Sequence, residues 1–183
     1  MNASAIGDII GQYVQGLGLC AACWRDEIWT DATRTSERTM EAGIATTFEQ
    51  TDFAGINTRI INSSASPFTI LDMTIKPGFG APAHISASED KVFVVIEGTL
   101  KYLLGDKTEV VEPGARIQVP KGMVHGFTNV GSHDARHILV STPRKHEEFF
   151  RDLSDIPEPR EQNMNLLPGI AQRHDQMIVG PLP

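Results

Sequence analysis

The chain has 183 residues, 40% of them hydrophobic and 21% charged, with a net charge of −7. That is enough for one domain with a full core, and the acidic balance argues against a nucleic-acid partner, which would need a basic face. No apolar run is long enough to span a bilayer, the first residues lack the positive stretch of a secretory signal, and two cysteines make no disulfide framework; a cytoplasmic location is the expectation.

In chain order, residues 4–29 read as helical. Ile6, Ile10, Tyr13, Leu17, Cys20 and Trp24 recur at steps of three and four. Asn2 or Ser4 suits the start and Asp8 the first turn. Cys20 and Cys23 share that helical face, either as a redox pair or as two small buried apolar groups. The lack of a second cysteine pair favours the latter. Residues 30–39 are polar and read as a loop. Candidate strands follow at 45–48 and 56–61, then a turn cluster at 62–67 and renewed alternation over 68–75. Residues 77–83, rich in Gly and Pro, read as a loop that delivers His84 into the next strand. Val92 to Ile96 form a continuous apolar run ending at Gly98, the mark of a buried strand. Residues 100–104 and 108–111 flank Gly105-Asp106, a hairpin signal. Ile117 and Val119 alternate with Arg116 and Gln118, which either line a pocket or face solvent. Pro120-Lys121-Gly122 is a turn leading to His125. Residues 135–142 form a strand with His137, Leu139 and Ser141 on one face. Residues 147–153 suit a short helix with Phe149, Phe150 and Leu153 inward, 156–160 a linker, and Pro168 the opening of a last helix to about His174. His133, His146 and His174 fall in polar stretches and read as solvated.

Two segments carry the chemical signal. One is PGFGAPAHISASEDKVFVVIEG at residues 77–98; the other is GARIQVPKGMVHGFTN at 114–129. The second resembles the second motif of the cupin superfamily at Gly114, Pro120, Gly122, His125 and Asn129. The first resembles the first cupin motif at Gly78, His84 and Gly98. It departs where the family's second histidine falls on Ser86 and its glutamate on Lys91. The resemblance covers roughly residues 68–143. It implies an all-β fold: a cupin-type double-stranded β-helix (jelly-roll) barrel over residues 41–145. An N-terminal helical extension at 1–40 and a tail of short helices at 146–183, packed on the barrel, complete the chain. It also implies a homodimer and an interior pocket for a small organic molecule.

In cupins the four corresponding positions hold a divalent metal, and this chain keeps His84 and His125. Ser86 shares a strand face with His84 but is a poor ligand, and the Lys91 ammonium repels a divalent cation. Three chemistries stay open. His84, Ser86, Lys91 and His125 can form an acid–base site without a strongly held metal, with a desolvated Lys91 as base or imine former. Glu89 or Asp90 can join His84 and His125 to hold Fe, Zn, Mn or Ni. Or the pocket binds without reacting. Lys91 can also run outward with only its stem buried. Ser86 reads as a polar filler, since no acidic residue completes a triad. His137 is a weaker candidate near the pocket. The expectation is an isomerase, lyase or cyclase; the alternatives are a metal-dependent dioxygenase-like oxidoreductase and a non-enzymatic ligand-binding cupin.

Overall fold

Eleven strands form the frame of the computed structural model, which describes residues 42–62 and 65–183. The helix expected over 4–29, the Cys20 and Cys23 pair and the loop at 30–39 lie outside the described residues. The strands are β1 Glu49–Phe53, β2 Ile56–Ile60, β3 Thr69–Ile75, β4 Gly80–Ser86, β5 Asp90–Glu97, β6 Leu100–Leu104, β7 Lys107–Val111, β8 Arg116–Val119, β9 Val124–Asn129, β10 Ala135–Thr142 and β11 Gln176–Ile178. Helices α1 (His146–Ser154) and α2 (Leu167–Arg173) stand between β10 and β11. Two antiparallel sheets result, in the orders β1-β2-β3-β10-β5-β8 and β11-β4-β9-β6-β7. Their inner faces supply the core, and this is the expected all-β jelly-roll barrel. No helix among the described residues is long and apolar enough to cross a membrane.

The hairpins follow the turn chemistry. Ala54-Gly55 joins β1 to β2 with positive φ at both residues (48° and 75°), the conformation whose twist matches paired strands. Gly105-Asp106 joins β6 to β7, where Leu104 pairs with Lys107. Period-two alternation then sorts the faces. Leu71, Met73 and Ile75 point inward from β3, Ile117 and Val119 from β8, and His137, Leu139 and Ser141 from β10. Arg116 and Gln118 face solvent.

Several elements differ from the expectation. The apolar run Val92 to Ile96 is not buried throughout. Lys91, Phe93 and Val95 point inward, while Val92 and Ile96 are exposed. Its sheet packs only one face on the core, so each strand must alternate whatever its composition. The first strand starts at Glu49, after residues 45–48, because the buried position of β1 is filled by Thr51, a polar residue. Strand β4 begins at Gly80, inside the stretch expected as a loop. A Cβ at Gly80 would lie 1.9 Å from the Phe127 carbonyl oxygen, so only glycine lets β4 approach β9 there.

Asp72 is buried on the outer face of β3, where Arg136 holds it through two bonds of 2.7 and 2.9 Å. His137 belongs to the core rather than to a site. The Tyr102 hydroxyl donates to its Nδ1 at 2.7 Å, its Nε2 lies 3.3 Å from Met73 Sδ, and Phe127 packs edge-on at 4.7 Å. Burial holds this imidazole at about 3, so it stays neutral. Tyr102→Phe would strand the buried Nδ1 acceptor and is expected to cost about 1–3 kcal/mol. Urea unfolding at pH 7 measures it; an unchanged midpoint would show that His137 finds another donor.

Candidate functional site

The site grows from one cross-strand pair. A bulge between Ala81 and His84 resets the β4–β9 register and puts His84 opposite His125. Their ring centroids lie 4.1 Å apart, tilted by 48°. His84 Nδ1 lies 2.8 Å from the Pro82 carbonyl and His125 Nδ1 3.0 Å from that of Met123. A carbonyl only accepts, so each Nδ1 carries the proton and each Nε2 keeps its lone pair. Burial, then the nearby Lys91 charge, pushes His84 well below its ordinary value and His125 to about 3. Both are neutral imidazoles near pH 7.

Lys91 faces them from the other sheet. It sits on β5 between Val119 of β8 and Ser141 of β10 and points inward, only 2% exposed. Desolvation lowers its ammonium to about 8, against a smaller opposing pull from Glu89. Among the described residues it forms no ion pair; its polar neighbour is His146 Nε2, at 3.4 Å. His146 belongs to the first turn of α1, which docks on β3 through the buried Glu147. That carboxylate accepts from the Thr69 hydroxyl and pairs with Arg144. Glu89 Oε2 lies 2.9 Å from His146 Nδ1, a close contact off the ideal hydrogen-bond direction. Burial and Lys91 together bring His146 to about 4. Burial pushes Glu89 up, but the His146 contact and the charges around it outweigh this, so it stays an anion. Gln176 of β11 closes the ring: its amide donates to Glu89 at 3.3 Å, and its carbonyl accepts from Ser86 at 2.6 Å.

A cavity of about 310 Å³ opens onto Lys91, His84, His146 and Gln176. Elsewhere its walls are apolar, including Phe53, Met73, Phe93 and Phe127 from the sheets and Phe149, Phe150 and Leu153 from α1. Phe79, Met164, Ile178 and Leu182 line it and are also solvent-exposed, which marks the mouth. Lys91, His146 and Gln176 are thus buried polar groups on otherwise apolar walls. Three buried polar atoms nearby, Glu89 Oε1, His125 Nε2 and Ser141 Oγ, have no hydrogen-bonding partner among the described residues. Unsatisfied buried groups beside a cavity are what a polar ligand head would complete.

The donor set does not fit a divalent metal. His84 and His125 offer two Nε2 lone pairs. Ser86 gives its proton to Gln176, Lys91 brings a positive charge, and Glu89 is turned to His146 and Gln176. Among the described residues no group of three or more His, Cys, Asp or Glu is placed to hold a metal ion. Asp90 is exposed and accepts the Lys121 amide at 2.8 Å. His133 is exposed as expected, and His174 is partly covered beside Asp152, at 2.9 Å. His146, expected in solvent, is buried in the site. Its spacing to Phe149, Phe150 and Leu153, at i+3, i+4 and i+7, was the available signal, since those residues share one helical face. Gln176 carried none: it reaches the site from a three-residue strand at the end of the chain.

The buried amine has an energetic consequence. Lowering Lys91 from 10.5 to about 8 corresponds to about 3 kcal/mol against the folded state at pH 7. The penalty is complete below about pH 8, where the amine is charged in both states. It fades towards pH 10.5, because the folded chain gives up the proton first. Lys91→Met is therefore expected to stabilise the protein by about 1–3 kcal/mol at pH 7, less at pH 10. Denaturant unfolding at both values decides it; equal stability at pH 7 would mean that the ammonium is better compensated than its neighbours suggest.

A family profile described as the cupin domain matches residues 71–141. Mannose-1-phosphate guanylyltransferase 2 of Escherichia coli O157:H7 is 29% identical over 75 residues, which make up 41% of this chain and 16% of that enzyme. The chain therefore spans only a small part of that relative's length. Among solved structures, KdgF of a Halomonas species is 20% identical with a TM-score of 0.51, over 55% of this chain and 92% of that one. An RmlC-like cupin of Shewanella frigidimarina is 15% identical with a TM-score of 0.52, over 60% and 96%. At such identities the likeness is one of fold. Profile match and strand order agree that this chain carries a cupin domain, and the solved relatives share its fold.

Proposed function

We propose that this protein is an enzyme of the isomerase, lyase or cyclase kind that acts on a small, largely apolar molecule and uses Lys91 to move a proton. The observation that carries the reading is a buried lysine that lines a cavity with aromatic walls. Many reactions of these kinds begin by removing a proton from carbon, and the best base has a pKa near the working pH. Lys91 at about 8 meets that condition; His125 at about 3 and His146 at about 4 are too weak to take a proton from carbon. His84 lines the cavity, and its free Nε2 accepts a hydrogen bond from the substrate. His125, packed behind it, fixes its ring. Ser86 acts through Gln176, which it holds against Glu89. A homodimer, implied by the family resemblance, and a cytoplasmic location, expected from the sequence, are part of the same reading.

Deuterium exchange tests it. The arylacetic lactone 3-isochromanone carries an acidic C–H beside an apolar ring. Its exchange in D₂O, followed by NMR, is expected to be accelerated by the protein and to rise with pH through about 8, as Lys91 loses its proton. In Lys91→Met the acceleration should fall by at least about 100-fold with the fold intact by circular dichroism. Acceleration that survives the substitution removes Lys91 from the chemistry. Binding without acceleration makes the protein a ligand-binding cupin.

A further inference from the structure

Nothing in the proton-transfer reading uses the carboxylate and imidazole behind Lys91. Glu89, His146 and Lys91 form a line: Glu89 Oε2 to His146 Nδ1 at 2.9 Å, then His146 Nε2 to Lys91 Nζ at 3.4 Å. All three are buried, at 1%, 4% and 2% exposure. They come from three separate places: the turn before β5, the first turn of α1, and β5 itself. Such an order, acid behind imidazole behind nucleophile, is how proteins activate a weak nucleophile. The partner on the far side of Lys91 is the cavity, not a carboxylate.

We propose that Lys91 is a covalent nucleophile that captures the carbonyl carbon of an apolar aldehyde or ketone as an imine, with His146 as its base and Glu89 as the group that positions His146. The proposal rests on the reading of this pocket as the reaction site and names the substrate class. The free amine attacks the carbonyl carbon; a C–N bond forms and the C=O π pair moves to oxygen. His146 Nε2 takes the proton that nitrogen sheds and passes it to that oxygen, which gives a neutral carbinolamine. Nitrogen's lone pair then expels the hydroxyl, and the remaining N–H proton, relayed by His146, completes the departing water. Amine and carbonyl give imine and water, with no net redox change. The charge that develops on His146 is stabilised by Glu89, as in other acid-backed imidazoles. The apolar walls favour an aryl or alkyl carbonyl compound and exclude the bulk water that would hydrolyse the imine. Lys91 gives up its proton more readily than an exposed lysine, since desolvation lowers its ammonium to about 8.

Reductive trapping tests this on the full chain. The fluorescent probe 6-methoxy-2-naphthaldehyde cannot undergo conjugate addition. Incubated at a sub-stoichiometric level with sodium cyanoborohydride at pH 7.5, it is expected to label Lys91 at least 10-fold faster than the exposed Lys107, as read by peptide mass mapping. His146→Gln should slow labelling at Lys91 at least 10-fold while probe binding without reductant, followed by fluorescence, persists. A role in packing alone would not separate those two readouts. Labelling of Lys91 no faster than of Lys107, with lactone exchange still dependent on Lys91, overturns the imine and leaves the proton-transfer reading intact. If labelling, binding and lactone exchange are all absent from a folded protein, both fall.

Discussion

A charged amine taken out of water inside an apolar barrel is the constraint on which this structure turns. Lys91 occupies an inward position of β5, with Phe93 and Val95 next on the same face. Strand periodicity leaves it no other direction, because turning it out would expose both of its apolar neighbours. The penalty of desolvation is reduced by Glu89 but not removed, which is why the amine stays near 8 rather than above 10. A protein that merely needed stability would place an aliphatic residue here. Stability forgone at a position that lines a cavity is the usual signature of a functional group.

The surrounding polar groups arrive by three kinds of positioning. His84 and His125 are set by the β4–β9 register, which depends on the Gly80 contact and the bulge after Ala81. His146 is set by the docking of α1, whose first turn is tied to β3 through Glu147 and Thr69. Gln176 is set by β11, an edge strand that pairs with β4 through three residues. Sheet register is rigid and helix docking is cooperative with the core, but a short edge strand is held by few contacts. The polar ring thus has one weakly anchored member, and it belongs to the segment that also lines the mouth with Ile178.

Two of the site's residues were legible because motif positions carry their own spacing. His125 follows its turn at Pro120-Lys121-Gly122, and Gly122 adopts the positive φ, 80°, that the turn requires. His84 precedes the β5 run at a fixed interval. Lys91 and Ser86 were recognised as departures from the family pattern, but not what they do. Whether Lys91 pointed in or out was open, since a long side chain can run either way from one backbone position. The Val92 to Ile96 run misled for a related reason: apolar composition cannot tell a strand buried on both faces from one with an exposed apolar face. The charged neighbours Lys145, Glu147 and Glu148 make His146 read as solvated, whereas its helical spacing to Phe149, Phe150 and Leu153 is the better guide.

By itself the sequence determined most of the strands and the β6–β7 hairpin, because period-two patterning and turn glycines act over a few residues; the barrel and the meeting of His84 with His125 came from the resemblance of its two motifs to those of cupins. Only the tertiary structure decided that Lys91 is desolvated, that Glu89 turns to His146 rather than to the two histidines, and that Gln176 joins Ser86 to Glu89. Those contacts span up to 90 positions along the chain. The electrostatics that distinguish a metal centre from an amine site depend on burial and distance in three dimensions, which no local pattern encodes.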